Sequence, residues 1–162
     1  MITAFYSTVL DHPLDRVWEL VRDFNNYPRY IDGVSESVIE EDKRGDEVGA
    51  IRRFNYQGHW IRQRLVRHSD EQHLLTYAGI EPFAFPSDAA KEKPSPARYE
   101  GTIQLHQIVD GDRTFIEWPV VLDTAAGEDE PWHELFMSWI PEWIASLRRT
   151  LAREAQLGRT SP

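Results

Sequence analysis

The apolar and polar positions of this chain fall into two periods, first two and later three to four. Residues 2–10 (ITAFYSTVL) are rich in β-branched and aromatic side chains and predict a strand. Asp11-His12-Pro13 stops it, and Pro13 and Asp15 suit the first turn of a helix. Val17, Trp18, Leu20, Val21 and Phe24 then recur at helical spacing, so a first helix is expected to run to about Phe24. A shorter turn follows at Pro28–Ile31. Period-two patterns succeed one another at about 34–41, 47–56, 59–69, 72–80, 98–109 and 113–123, separated by short turns such as Gln57-Gly58 and Asp110-Gly111-Asp112. Short connectors imply antiparallel hairpins. The exception is the segment from Ile80 to Ala97, with four prolines and no clear period; a connection of this length is usually a functional or disordered loop.

From Glu130 the period becomes helical. Trp132, Leu135, Phe136, Trp139, Ile140, Trp143, Ile144, Leu147 and Leu151 mark one broad apolar face. Pro141 lies inside this pattern and predicts a kink, and Gly158 is expected to end the helix. The order strand, two short helices, six strands, long helix predicts an α+β fold. Its seven-stranded antiparallel sheet must bury one face, and the C-terminal helix is the apolar partner long enough to cover it. With no repeat or linker, one domain over residues 1–158 and a short tail at 159–162 are expected.

Strand alternation sorts the side chains. Ile116, Trp118, Val120 and Leu122 face inward on the last strand, and Tyr99, Gly101, Ile103 and Leu105 on the one before it. Ile61 and Leu65 face inward on strand 59–69, which puts His59 and Gln63 on the same side and Arg62, Arg64 and Arg67 toward water. Leu75 and Tyr77 form the inward row of strand 72–80. Apolar walls with a few converging polar tips describe a small-molecule pocket, although buried Tyr and Trp with one hydrogen bond are also ordinary core residues. Gln63, between two apolar neighbours, needs hydrogen-bond partners.

Composition narrows the chemistry. The 162 residues carry 18 Lys and Arg against 27 Asp and Glu, a net charge of −9, which disfavours general binding to nucleic acid. There is no cysteine, hence no disulfide or thiol nucleophile. No apolar run approaches the ~18 residues of a spanning helix, so no stable membrane insertion is expected. The N-terminus lacks a secretory pattern, so a cytoplasmic location is expected. The six histidines show no metal spacing, and no nucleotide-binding or nucleophile motif occurs; neither metal nor cofactor is expected. Arg52-Arg53 and Arg62, Arg64 and Arg67 read as surface cations paired with carboxylates.

The segments DHPLDRVWELVRDFNNYPRYIDGV, VGAIRRF, HWIRQRLVRHSDEQHLLTY and RYEGTIQLHQIVDGDRTFIEW, in that order, resemble the START/Bet v 1-like (SRPBCC) superfamily. Within it they are most similar to the polyketide cyclase/dehydrase-like lipid-binding group, which also resembles the plant abscisic acid receptors. The resemblance implies a helix-grip fold around a hydrophobic pocket. By resemblance Tyr99 and Trp118 face that pocket, Gln63 stands where a glutamate is frequent, Asn55–Gly58 forms a gate-like loop, and residues 80–97 form an unusually long second mouth loop. The absence of a Cys-His motif separates the chain from Rieske oxygenase subunits.

The expected function is binding of a small hydrophobic molecule (a lipid, polyketide-like or aromatic compound) between sheet and helix. Gln63, Tyr77, Tyr99, Trp118 and His59 would be the polar contacts. Ile61, Leu65, Ile103, Phe136, Trp139 and Trp143 would be the walls, with Trp18 and Trp60 as further aromatic candidates. One alternative is a polyketide aromatase/cyclase using Tyr99, Tyr77 or His59 as acid or base. Another is an interaction subunit using Trp132 or the basic sheet face, and a homodimer is compatible with the chain.

Overall fold

The computed structural model describes residues 1–86 and 93–160. Strand β1 (Ile2–Leu10) leads into helices α1 (Leu14–Val21) and α2 (Tyr27–Tyr30). Strands β2 (Val34–Glu40), β3 (Ile51–Tyr56), β4 (His59–Ser69), β5 (Leu74–Gly79), β6 (Arg98–Ile108) and β7 (Arg113–Asp123) follow, and helix α3 (Asp129–Thr160) closes the chain. Among the described residues the seven strands form one antiparallel sheet in the order β1-β7-β6-β5-β4-β3-β2. The sheet curves around α3, which is the helix-grip arrangement.

The elements arise where the periodicity places them, with three main differences. Strand β3 begins at Ile51, not at residue 47. Helix α1 ends at Val21, not at Phe24. Helix α3 runs through Gly158, so a glycine near a helix end, at a cost of about 1 kcal/mol, does not stop it here. Its 32 residues correspond to about 48 Å, enough to cross the whole sheet. The apolar rows predicted for β6 and β7 are the buried ones: Ile103, Leu105, Ile116, Trp118, Val120 and Leu122 are all at most 2% exposed.

A bulge between Leu65 and Arg67 switches the parity of β4. Arg67 therefore faces solvent and His68 turns inward opposite Leu75, where its ring meets Trp18 at 5.5 Å. Trp18 Nε1 donates to Asp70 Oδ1 at 2.8 Å, and Arg22 grips both oxygens of Asp70 at 2.9 Å and Asp46 at 3.0 Å. This cluster ties α1 to the β4–β5 turn and to the loop before β3. The Arg22 and Trp18 hydrogen bonds hold the Asp70 carboxyl well below the usual carboxylate range. A carboxylate depressed in the folded state contributes stability above its unfolded value, near pH ~3.9, and loses that contribution as pH falls. Asp70→Asn keeps an acceptor for Trp18 but loses the charge, so it should cost under about 1 kcal/mol at neutral pH for this exposed pair. Asp70→Ala also orphans the Trp18 N–H and should cost about 1–2 kcal/mol. Urea unfolding of Asp70→Asn should vary less with pH below ~4 than that of the wild type; equal acid slopes would remove this assignment.

Helix α2 is pinned to α3 by Ser146, whose hydroxyl donates to the Tyr30 carbonyl at 2.6 Å and accepts from the Asp32 amide at 2.9 Å. Arg149 closes on Asp32 at 2.5 Å. This anchoring fixes Tyr27, Ile31 and Val34 against the end of the sheet where the candidate site lies.

Candidate functional site

The site begins with the parity of β3. Arg52, Phe54 and Tyr56 share the inward face, and Arg53 and Asn55 the outward one. Arg52 is therefore fully buried, which corrects its reading as a surface cation. Its guanidinium carbon lies 3.7 Å from the centre of the Tyr27 ring and 4.5 Å from that of Phe24, within cation–π range. Nη1 donates to the Phe24 carbonyl. No carboxylate among the described residues pairs with it. Arg62, by contrast, makes the expected surface pairs with Glu40 and Glu81.

Arg52 stands directly opposite Gln63 on β4, and Gln63 opposite Gly79 on β5. Gly79 has no side chain, and the Tyr99 ring from β6 lies over it. A Cβ there would sit 2.3 Å from the ring. The Tyr99 hydroxyl thereby reaches Gln63. A second pair repeats the device: Tyr77 lies over Gly101, with 2.3 Å to a would-be Cβ, and its hydroxyl accepts from Trp118 Nε1 at 2.9 Å.

The polar row has a direction. Arginine can only donate, and Arg52 Nε and Nη2 both donate to Gln63 Oε1, at 3.0 and 2.5 Å. The Gln63 carbonyl is thus occupied. Its amide nitrogen faces the other way and donates to the Tyr99 oxygen at 3.0 Å. Tyr56 is treated similarly: its oxygen accepts from Trp143 Nε1 at 3.1 Å and from Gln57 at 3.4 Å. Burial pushes the Tyr99 phenol up to about 12, against the opposing Gln63 hydrogen bond. Burial also raises Tyr56 and Tyr77. All three remain phenols, able to donate.

Between this row and α3 is a narrow cavity of about 40 Å³. At ~10–15 Å³ per water it has room for about three. Phe136, Trp139 and Trp143 from α3 form one wall, and Phe54, Tyr56 and Ile61 from β3 and β4 another. Tyr27, Ile31 and Val34 close one end, and Phe83 covers it from the segment after β5. Phe83 is held there by edge-to-face contacts with Tyr99, Trp132 and Trp139 at 5.8–6.0 Å and by a bridge to Ala97. A wider depression of about 350 Å³ lies outside, and Ile61, Phe83 and Tyr99 line both spaces.

Of the residues singled out from sequence, Gln63, Tyr77, Tyr99, Ile61, Phe136, Trp139 and Trp143 line the cavity. Trp118, Leu65 and Ile103 do not; they are buried core beneath or beside it. His59 is exposed and belongs to the outer depression. Trp18 is buried at the Asp70 cluster, and Trp60 is 48% exposed beneath Arg53. Trp132 is fully buried and donates to the Ser95 carbonyl, which withdraws it from any exposed interaction surface. Sequence reasoning missed Arg52, Tyr27, Ile31, Val34 and Phe54, and reached Tyr56 and Phe83 only as members of the two mouth loops implied by resemblance. The alternation of Arg52 with Phe54 and Tyr56 was the available signal. The Asn55–Gly58 turn is a two-residue hairpin, with Gln57 at φ 50° and Gly58 at φ 86°, beside the Tyr56 end of the cavity. Residues 87–92 of the long second loop lie outside the described residues. No three His, Asp or Glu side chains among the described residues are grouped to hold a metal, and no described helix is long and apolar enough to cross a membrane.

A curved antiparallel sheet gripping a long helix, with an aromatic cavity between them, defines the Bet v 1-like class. The chain belongs to the family described as polyketide cyclase/dehydrase and lipid transport, whose model matches residues 1–157. Solved structures share the fold. A protein of Nitrosospira multiformis aligns with a TM-score of 0.73 at 23% identity, over 96% of this chain and 99% of that one. The protein XoxI of Bacillus cereus aligns at 0.74 and 21%, over 94% and 96%. A protein of Bacillus thuringiensis aligns at 0.74 and 21%, over 93% and 99%. No curated protein matches the chain.

Proposed function

We propose that the chain binds a small hydrophobic molecule in the cavity between the sheet and α3. The observation that carries this is an aromatic-walled space with one polar end, Gln63, Tyr99 and Tyr77, in a chain of a lipid-transport and cyclase family. With the side chains as they stand the space is too small for anything larger than a few waters. A ligand must therefore turn Phe83 and Trp139 aside as it passes from the outer depression, and the bound molecule is flat or slender.

Binding is favoured over cyclase chemistry by the state of the polar groups. The described cavity lining holds no histidine or carboxylate to serve as general base, and burial raises its Tyr56, Tyr77 and Tyr99 phenols further from neutrality.

The neutral probe N-phenyl-1-naphthylamine tests the reading. Its fluorescence should rise and saturate at one per chain. Ile61→Trp, which fills the passage between the two spaces, should weaken binding about tenfold, equivalent to ~1.4 kcal/mol. Equal affinity in that variant would place the probe elsewhere and end the proposal.

A further inference from the structure

The polar end of the cavity is made of donors. Arg52 occupies the Gln63 carbonyl from two nitrogens, so Gln63 presents only N–H toward Tyr99. Tyr99 accepts that N–H, and among the described residues nothing accepts the Tyr99 proton. Tyr56 accepts from Trp143 in the same way and likewise keeps a proton to give. Behind the row stands the Arg52 cation, fully buried, solvated by ring faces and two carbonyl oxygens and unpaired with any described carboxylate. Its charge and the Gln63 and Tyr99 dipoles point head to tail toward the cavity and reinforce one another.

A group that can only donate meets, at Tyr56, Tyr77 and Tyr99, phenol oxygens that already accept a hydrogen bond, and it loses its water on the way in. A neutral hydroxyl can accept one hydrogen bond. A carboxylate accepts several, gains from the charge-assisted bond to a phenol, and supplies the negative charge that Arg52 lacks. We propose that the ligand is a hydrophobic carboxylic acid bound as its anion, with the carboxylate at Tyr99 and Gln63 and the apolar body between Phe54, Trp139 and Trp143. This rests on the binding reading above and adds the chemistry of the ligand head. Arg52 acts as a positioning residue: it fixes the orientation of the Gln63 amide and biases the field without lining the cavity.

The test is displacement of N-phenyl-1-naphthylamine from the full chain at neutral pH by three compounds with one skeleton: 2-naphthoate, 2-naphthalenemethanol and 2-naphthylmethylammonium. The acid should compete at least tenfold better than the alcohol, and the amine least of all. Gln63→Glu keeps the side-chain shape but gives Arg52 a counter-ion and the cavity an acceptor. It should reverse the order, with circular dichroism reporting the fold. Tyr99→Phe should bring acid and alcohol within about twofold. Equal competition by acid and alcohol in the wild type overturns this proposal and leaves the binding reading standing. So does an acid preference unchanged in both variants, or a bound probe that the acid does not displace. A probe that does not bind at all overturns both.

Discussion

Gly101→Ala should lower the unfolding free energy by about 3 kcal/mol, a large effect for one methyl group. The added Cβ would lie 2.3 Å from the Tyr77 hydroxyl and ring. That ring has nowhere to retreat. It is 2% exposed, its hydroxyl is held by Trp118, and Arg52 lies 5.2 Å from its centre. Overpacking of a filled core costs ~1–3 kcal/mol. Displacing the Tyr77 oxygen orphans the buried Trp118 N–H, at ~1–3 kcal/mol. The restriction that alanine imposes on the unfolded chain returns ~0.4–1 kcal/mol. For a domain of this size the midpoint of thermal unfolding should fall by ~6–12 °C. The cause can be isolated with Tyr77→Leu, which costs stability alone but should cost at least about 1 kcal/mol less in the Gly101→Ala background. Full additivity would show that the ring is not what the methyl group strikes.

Arg52→Ala should be comparably destabilising, by about 3 kcal/mol, and for reasons other than a lost ion pair. It removes the packing between the Tyr27 and Phe24 rings, and large-to-Ala core truncations cost ~2–5 kcal/mol. It leaves the Phe24 and Gln63 carbonyls without a donor. Against this, an unpaired buried cation is itself unfavourable, and its removal returns part of the loss. Arg52→Met separates the contributions, because it restores most of the volume without the charge or the fork. It should recover more than half of the Ala deficit in urea unfolding. Loss of the Gln63 orientation should persist in Arg52→Met, since nothing then holds the amide carbonyl away from Tyr99. If Arg52→Met unfolds as readily as Arg52→Ala, the hydrogen-bond fork rather than the packing is the larger part.

The strands, the antiparallel hairpins that join consecutive ones and the long closing helix were legible because each is written locally. Period two in β6 and β7 and the apolar face of α3 identify buried sides without knowledge of any partner. The same parity brought Gln63, Tyr77 and Tyr99 to one face. It would also have brought Arg52 there, next to Phe54 and Tyr56, had the two adjacent arginines not read as a surface pair. His59 shows the limit of parity: it starts its strand with the right phase, but at the open end of the sheet there is nothing to cover it. Trp118, Leu65 and Ile103 show another, since facing inward does not decide whether a side chain meets a cavity or a neighbour.

What the sequence by itself determined is an antiparallel sheet covered by a long C-terminal helix and the chemical character of its interior, apolar and aromatic with a few amide and phenol groups. These follow from periodicity and composition, which are properties of the chain alone. The tertiary structure decided which polar groups meet and in which direction their hydrogen bonds run. Gln63 donates toward the cavity because Arg52, eleven residues earlier, occupies its carbonyl. Tyr99 reaches Gln63 because Gly79, on the strand between them, leaves room for its ring. Hydrogen-bond direction and steric room depend on partners from separate strands, and only the register of the folded sheet brings those partners together.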